Sequence, residues 1–403
     1  MRTAIVHYWL VGMRGGEKVL EGLSELYPDA DIFTHVLVPE AISPRLAEHR
    51  IRTSFIANLP RAHVLYKKYL PLMPLALEHL DLRDYDLIIS SESGPAKGVI
   101  PPPGALHLCY CHSPMRYIWN MYHDYRATAG RVTRLSMPLM AHYLRNWDQS
   151  SAARVDKFVA NSHNVADRIR KYYRREAAVV HPPVDVDAFA PVPAAEVGGH
   201  YLMVGELVRY KRPDLAVEAF NASGRKLVVV GGGEMLEELR ALAGPNVEIM
   251  GPQPFEVLRF HYAHCRALVF PGEEDFGIVP VEAMASGRPV VAYNRGGATE
   301  TVIDGVTGVL FEDQSVEALN DAIDRLEDTP FDPAKIAAHA RLFSRSRFKE
   351  EMAEAVRIAY AAHRGDRDPV IAAPARPRLR PATDIPTFAL EPQAGLAARA
   401  ARR

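Results

Sequence analysis

The chain has 403 residues, more than one ordinary hydrophobic core accommodates, so two domains are expected. Apolar residues make up 48% and charged residues 24%, a globular balance that argues against a disordered or membrane-embedded chain. The formal net charge of −1 excludes a global field for nucleic acid or anionic lipid, so any such attraction has to come from a local patch.

Short apolar runs alternate with helical patterns along the chain, the rhythm of βα units and parallel sheets. The first run, Thr3–Tyr8, reads as a strand. The N-terminal stretch does not read as a signal peptide, because its apolar run stops at Gly12 and Arg14 without a cleavage-like site. Gly15 and Gly16 then stand before a helical pattern, where paired glycines let the backbone approach a ligand closely. The GxGxxG spacing of a dinucleotide site is missing. Further strands are predicted at Asp31–Val36, Leu87–Ser90, Leu106–Cys111 and Lys157–Ala160. The stretches His49–Leu75 and Met115–Trp147 mix basic with large apolar residues, a pattern that suits either a membrane surface or a helical cover over the first sheet. His112 emerges at the carboxyl end of the Leu106–Cys111 strand, the edge at which open parallel sheets bind ligands, and Arg116 follows it. Three cysteines, Cys109, Cys111 and Cys265, form neither a disulfide framework nor a CxxC zinc pair, which points to a reducing cytosol.

The proline-rich stretch from Pro182 to Pro193 lacks periodicity and marks the junction, with a first domain over 1–190 and a second over 191–345. Strands in the second half are predicted at Tyr201–Val204, Lys226–Val230, Val247–Met250, Ala267–Phe270, Val290–Tyr293 and Val309–Phe311. The fold class is therefore α/β, two Rossmann-like domains facing a cleft, with a C-terminal helix over 346–363 returning to the first domain. Residues 364–403, rich in Pro, Ala and Arg, read as a disordered tail. No stretch approaches the roughly 18–20 uncharged apolar residues that span a bilayer.

The most informative segment runs from Phe270 to Val291. A buried strand ends in a loop holding Glu274, Phe276 and Gly277, and the next helix opens with Ile278 and Val279 and carries Glu282. Glu274 faces the cleft mouth, where a carboxylate accepts hydrogen bonds from sugar hydroxyls, and Glu282 is placed for a ribose diol. The amides over 275–278 sit at a helix N-terminus, a natural site for polar oxygen. A second segment, Val204 to Pro213, leaves a strand with Arg209 and Lys211 at its end.

Glu274-x7-Glu282, Ala285-Ser-Gly-Arg-Pro-Val-Val and Asn294-Arg-Gly-Gly-Ala-Thr-Glu300 together resemble glycosyltransferase family 4, retaining enzymes of the GT-B fold, over nearly the whole chain to about residue 360. The string His112-Ser-Pro-Met-Arg-Tyr-Ile-Trp119 is similar to bacterial polysaccharide mannosyltransferases. The resemblance implies that Gly15 and Gly16 face the donor phosphates, that His112 lies near the transferred sugar and that Lys211 neutralises the departing diphosphate. The family usually has Arg where this chain has Glu206, and Arg209 is the candidate replacement cation.

The resemblance implies transfer of a sugar from a nucleotide sugar, GDP-mannose favoured, to a saccharide or polyprenyl-diphosphate-linked saccharide in cell-surface polysaccharide synthesis. The resemblance further implies a retaining reaction by same-face substitution, with protein cations stabilising the leaving group. Neither a metal nor a cofactor is expected, and no nucleic-acid partner. The expected location is the cytoplasm, with peripheral association at the inner membrane face. The alternative is a non-catalytic nucleotide-sugar-binding protein of the same fold, for which Glu206 is the main argument.

Overall fold

A computed structural model describes residues 1–365. The first sheet holds β1 (Thr3–His7), β2 (Asp31–Thr34), β3 (Ile51–Thr53), β4 (Leu87–Glu92), β5 (Leu106–Cys111), β6 (Lys157–Ala160) and β7 (Ala177–Val179), in the order β3-β2-β1-β4-β5-β6-β7. The second holds β8 (His200–Val204), β9 (Lys226–Val230), β10 (Val247–Gly251), β11 (Leu268–Phe270), β12 (Val290–Tyr293) and β13 (Gly308–Phe311), in the order β10-β9-β8-β11-β12-β13. All pairings between these strands are parallel. Both sheets carry helices on their two faces, so β1, β4, β5 and β11 are buried throughout and β8 is buried except at its two ends. That burial made the central strands visible as continuous apolar runs. β3 and β7 were not predicted. Each is a three-residue edge strand, at best half-buried and too short to stand out as such a run.

In each sheet the strand order reverses once, between β1 and β4 and between β8 and β11. Such switch points leave a crevice at the carboxyl ends, because the flanking connections depart to opposite faces. The two crevices face each other across the seam between the domains.

The chain crosses that seam twice, side by side, with the Val184 N–H donating to the Phe343 carbonyl at 3.0 Å. Val184, Val186 and Phe189, ahead of the junction expected at 190/191, pack into the second domain's core. The helix Arg345–His363 returns to the first domain. Its Phe348, Met352, Val356 and Ala359 lie on the core formed by β1, β4 and β5. Arg345 holds Glu21 at 2.9 Å and Glu25 at 2.8 Å, which fixes the angle of return. The expected tail lies outside the described residues from 366 onward.

One buried ionic cluster braces the first domain behind β4. Lys97 contacts Glu92 at 2.9 Å and also Asp148, and all three are inaccessible to water. The Asp148 carboxylate also accepts from Trp119 Nε1 at 2.7 Å and from the Tyr173 hydroxyl at 2.9 Å. Charges buried so deeply persist only when fully partnered.

Candidate functional site

The site is assembled from loops at the carboxyl ends of five strands. Lys211 ends a short turn after β8, and the loop of Glu274 follows β11. They meet because Gly272 has no side chain: a Cβ there would overlap the Lys211 backbone. Lys211 Nζ then lies 2.9 Å from Glu274 Oε1. Burial alone would lower the Lys211 pKa, but the Glu274 carboxylate outweighs it and holds the ammonium above its usual range. A second glycine pair sets the Glu274 loop itself. The Gly297 N–H donates to the Glu274 carbonyl at 2.9 Å, and a Cβ on Gly296 or Gly297 would collide with the backbone at Glu274 or Phe276.

The Phe276 side chain is buried against His181 and Phe343, so only its backbone can meet a ligand. Gly277, with φ +85°, turns the chain into the helix Ile278–Ala285 and leaves the amides of Ile278 and Val279 at its start. Glu282, one turn on, accepts from the Tyr262 hydroxyl at 2.8 Å and faces Lys18 of the first domain at 3.9 Å. Burial pushes the Glu282 carboxyl above the usual range, against the pull of Lys18.

From the first domain, the helix Gly15–Leu26 starts directly behind β1. Gly15 is packed so closely on Ile278 that a Cβ would stand 3.0 Å from its Cδ1, and a Cβ on Gly16 would overlap the Tyr8 hydroxyl. The glycine loop and the loop of Glu274 therefore meet across the seam. His112 follows β5, with Nε2 bonded to Ser91 Oγ at 2.9 Å. Burial first, then the neighbouring His7, lowers its pKa to about 3, so it is neutral at physiological pH.

Arg209 is not brought to this group. It turns along the surface to Glu238 at 3.0 Å. The cation nearest to Glu206 comes instead from the opposite domain, Arg14, at 3.8 Å. Arg116 is drawn into the seam: its guanidinium stacks over Tyr210 at 4.8 Å and reaches the Glu273 carbonyl at 3.4 Å.

Sequence reasoning missed the ties that set the two domains against each other. Arg168 bonds both Asp275 and Glu273, the latter at 3.1 Å, and the Ser162 hydroxyl donates to the Asp275 carbonyl at 2.6 Å. Glu300 caps the helix His163–Tyr173 from the other domain, accepting from His163 N at 2.8 Å and Asn164 N at 2.9 Å. The available signal for the last was Ser162 at a helix start with no acidic residue in its first turn.

Comparison with known proteins bears on the family and the fold. Residues 13–188 match the family model described as "Glycosyltransferase Family 4" and residues 188–343 the one described as "Glycosyl transferases group 1". A D-inositol 3-phosphate glycosyltransferase of Mycobacteroides abscessus is 30% identical over 261 residues, 58% of this chain and 59% of that protein. A GDP-mannose-dependent alpha-(1-6)-phosphatidylinositol monomannoside mannosyltransferase of Mycolicibacterium smegmatis is 32% identical over 231 residues, 48% of this chain and 60% of that one. The chain thus spans about three fifths of the length of these relatives. The Anabaena protein HepE, solved in complex with UDP, superposes with a TM-score of 0.64 at 17% identity, over 89% of this chain and 100% of that one. With a matching family model on each side of the seam and the two-sheet architecture shared, the chain belongs to glycosyltransferase family 4 and has the GT-B fold.

Proposed function

We propose that the protein is a retaining glycosyltransferase that moves mannose from GDP-mannose to a saccharide carried on polyprenyl diphosphate. The observation that carries the transferase reading is the Lys211–Glu274 pair, set at 2.9 Å at a strand-end crevice and faced by the glycine loop of the opposite domain. A nucleoside diphosphate in that crevice finds the Lys211 ammonium and the amides at Gly15 and Ile278. Glu282 is the carboxylate for the ribose diol. Lys211, with Arg14 reaching in from the first domain, stabilises the charge that develops on the leaving diphosphate without a metal ion. His112 is neutral, so it does not act as a general acid. It holds a hydroxyl while the departing phosphate takes the acceptor's proton. The Mycolicibacterium relative's dependence on GDP-mannose supports the choice of donor.

A basic, apolar face beside the cleft supports a lipid-linked acceptor at the cytoplasmic face of a membrane. Residues 49–77 hold Arg50, Arg52, Arg61, Lys67 and Lys68 with no acidic residue, and residues 125–147 hold Arg126, Arg131, Arg134 and Arg145 with none. Leu70 from the first stretch and Met140 from the second pack on one cluster with Met115 and Ile118, which joins the two stretches. On the helix Arg131–Ala152, Val132, Leu135 and Leu139 are 84%, 85% and 74% exposed. Apolar side chains ringed by arginines at helical spacing suit the boundary of an anionic bilayer. Among the described residues no helix is long and apolar enough to cross a membrane.

One observation favours a second reading, donor binding without turnover: the Glu206 carboxylate, 3.8 Å from Arg14, follows β8 in the crevice proposed for the diphosphate. Thermal unfolding with GDP, UDP, ADP and their sugars, in EDTA and in magnesium, tests the donor. Nucleotide release in the presence of acceptor tests turnover. Stabilisation by GDP and GDP-mannose that EDTA leaves unchanged, followed by GDP release, is the expected result. At about 100-fold saturation the stabilisation is roughly 2.7 kcal/mol. Stabilisation by another nucleotide discards the mannosyl assignment, and stabilisation without release supports the second reading.

A further inference from the structure

Three residues outside every motif stand behind His112. β1, β4 and β5 are neighbours, and their register pairs His7 with Ser91. Just past β5, the His112 N–H donates to the Glu92 carbonyl at 2.7 Å. The side chains form a row across the sheet end. His112 Nε2 is 2.9 Å from Ser91 Oγ, Ser91 Oγ is 3.1 Å from His7 Nδ1, and His7 Nε2 is 3.7 Å from Glu17 Oε1. His7 and Ser91 are inaccessible to water and Glu17 nearly so, which leaves His112 as the member that reaches the cleft. Glu17 is held from its other side, where Oε2 accepts the Arg14 N–H at 3.0 Å. Within hydrogen-bonding distance His7 Nε2 has no partner among the described residues, so the Glu17 carboxylate is the group that orients it.

The protons in such a row run in one of two directions. Burial favours the protonated Glu17 carboxyl, but His7 and the backbone amides outweigh it and hold Glu17 ionised. A carboxylate only accepts, so the proton of a neutral His7 sits on Nε2 and its Nδ1 is bare. Nδ1 then takes the Ser91 hydroxyl proton, and the Ser91 oxygen takes the Nε2 proton of His112. The opposite direction needs a doubly protonated His7, a buried imidazolium whose Nε2 lies 3.7 Å from Glu17, beyond hydrogen-bonding distance of the one carboxylate that faces it. We propose that Ser91, His7 and Glu17 are positioning residues that lock His112 in its Nε2–H tautomer, so that Nδ1 meets the cleft as a hydrogen-bond acceptor for a hydroxyl of the transferred sugar or of the acceptor. Nδ1 of His112 makes no bond to the protein among the described residues, which leaves it free for that role.

Histidine-selective 15N labelling of the full chain, read through long-range proton–nitrogen couplings, reports which nitrogen of His112 carries the proton. In the wild type, Nε2 is protonated and Nδ1 bare. Ser91→Ala mixes the two tautomers and lowers kcat about 10-fold, the effect of one hydrogen bond at the upper end of its usual range, while donor KM changes less than about twofold. Ser91→Thr keeps the hydroxyl and restores the wild-type tautomer. A proton on Nδ1 of the wild type, or an unchanged tautomer in Ser91→Ala, overturns the proposal. Should a variant fail to fold, the wild-type spectrum alone decides. Only the kinetic arm rests on the glycosyl-transfer reading, so the expected spectrum from a protein without turnover refutes that reading and leaves the proposal standing.

Discussion

Replacing Glu206 with Gln should tighten donor binding. Glu206 lies 3.8 Å from Arg14, and the two side chains are 51% and 69% exposed. An exposed pair of this kind contributes no more than about 1 kcal/mol, so its loss is a small structural cost. A bound diphosphate changes the sign of what Glu206 does. At about 6 Å in a water-like dielectric, each unit of phosphate charge repels the carboxylate by about 0.7 kcal/mol, so two units cost about 1.4 kcal/mol, a factor of roughly 10 in affinity. Glu206→Gln removes that repulsion and frees Arg14 for the phosphates. Titration calorimetry with GDP at low salt should give a Kd about 10-fold lower for Glu206→Gln and about 10-fold higher for Arg14→Gln. The double variant should show coupling, since each residue acts on the phosphate partly through the other. Arg209→Gln, whose partner is Glu238, should leave Kd unchanged. Equal or weaker binding by Glu206→Gln refutes this reasoning and means that Glu206 contacts the donor directly. A Glu206→Arg protein that turns over donor where the wild type does not supports the non-catalytic reading.

Three further outcomes follow from buried groups. Lys97→Ala leaves Glu92 and Asp148 facing each other without a cation and should cost about 3–5 kcal/mol in urea unfolding, whereas joint replacement of the three by apolar residues of similar volume should cost far less. His35 and His107 are buried with pKa values lowered to about 4, principally by burial, so the unfolded chain binds their protons first. Their stabilisation is therefore complete above about pH 6.5 and is lost as pH falls towards 4, about 3 kcal/mol for each, and the melting temperature should fall across that window. Gly297→Ala should displace the Glu274 loop and abolish donor stabilisation in thermal unfolding, because a Cβ there overlaps the Phe276 backbone.

The fold was legible because buried parallel strands are written as short apolar runs, and eleven of the thirteen strands carry one. β3 and β7 were missed because each is only three residues long: β3 has Ile51 as its single apolar residue, and Ala177-Ala178-Val179 is too short and small a run to stand out. Lys211 and Glu274 were legible as residues that follow strand ends, and Gly272 is what lets them meet, while Glu282 was legible from its place in the helix after the Glu274 loop. Arg209 misled, because a residue three positions along a turn carries no statement of direction, and Glu238 was the nearer partner in space. Arg14, Arg168 and Glu300 were not legible as site or seam residues. Their partners lie 192, 105 and 137 residues away in sequence, and no local period records a contact made between domains.

The seam contacts divide into a tight side and a loose side. On the tight side Glu300 accepts two amide protons at 2.8 and 2.9 Å and faces His181 at 3.3 Å, while Arg168 grips Asp275 and Glu273. On the loose side the pairs Arg14–Glu206 and Lys18–Glu282 stand at 3.8 and 3.9 Å, long for hydrogen bonds, and both lie at the crevice proposed for the donor. Tight contacts at one edge and exchangeable ones at the other are the arrangement of a hinge beside a mouth, in which closure trades protein carboxylates for substrate oxygens. Glu300→Gln keeps the shape of the cap but removes its charge and one of its two acceptor oxygens. A charge-assisted hydrogen bond contributes about 1.5–3 kcal/mol, so donor affinity should fall roughly 10-fold or more although Glu300 touches no donor. Small-angle scattering should show a broader distribution of domain separations in the variant than in the wild type, and saturating GDP should narrow it again. Unchanged scattering with weakened binding refutes the hinge and makes Glu300 part of the donor site itself.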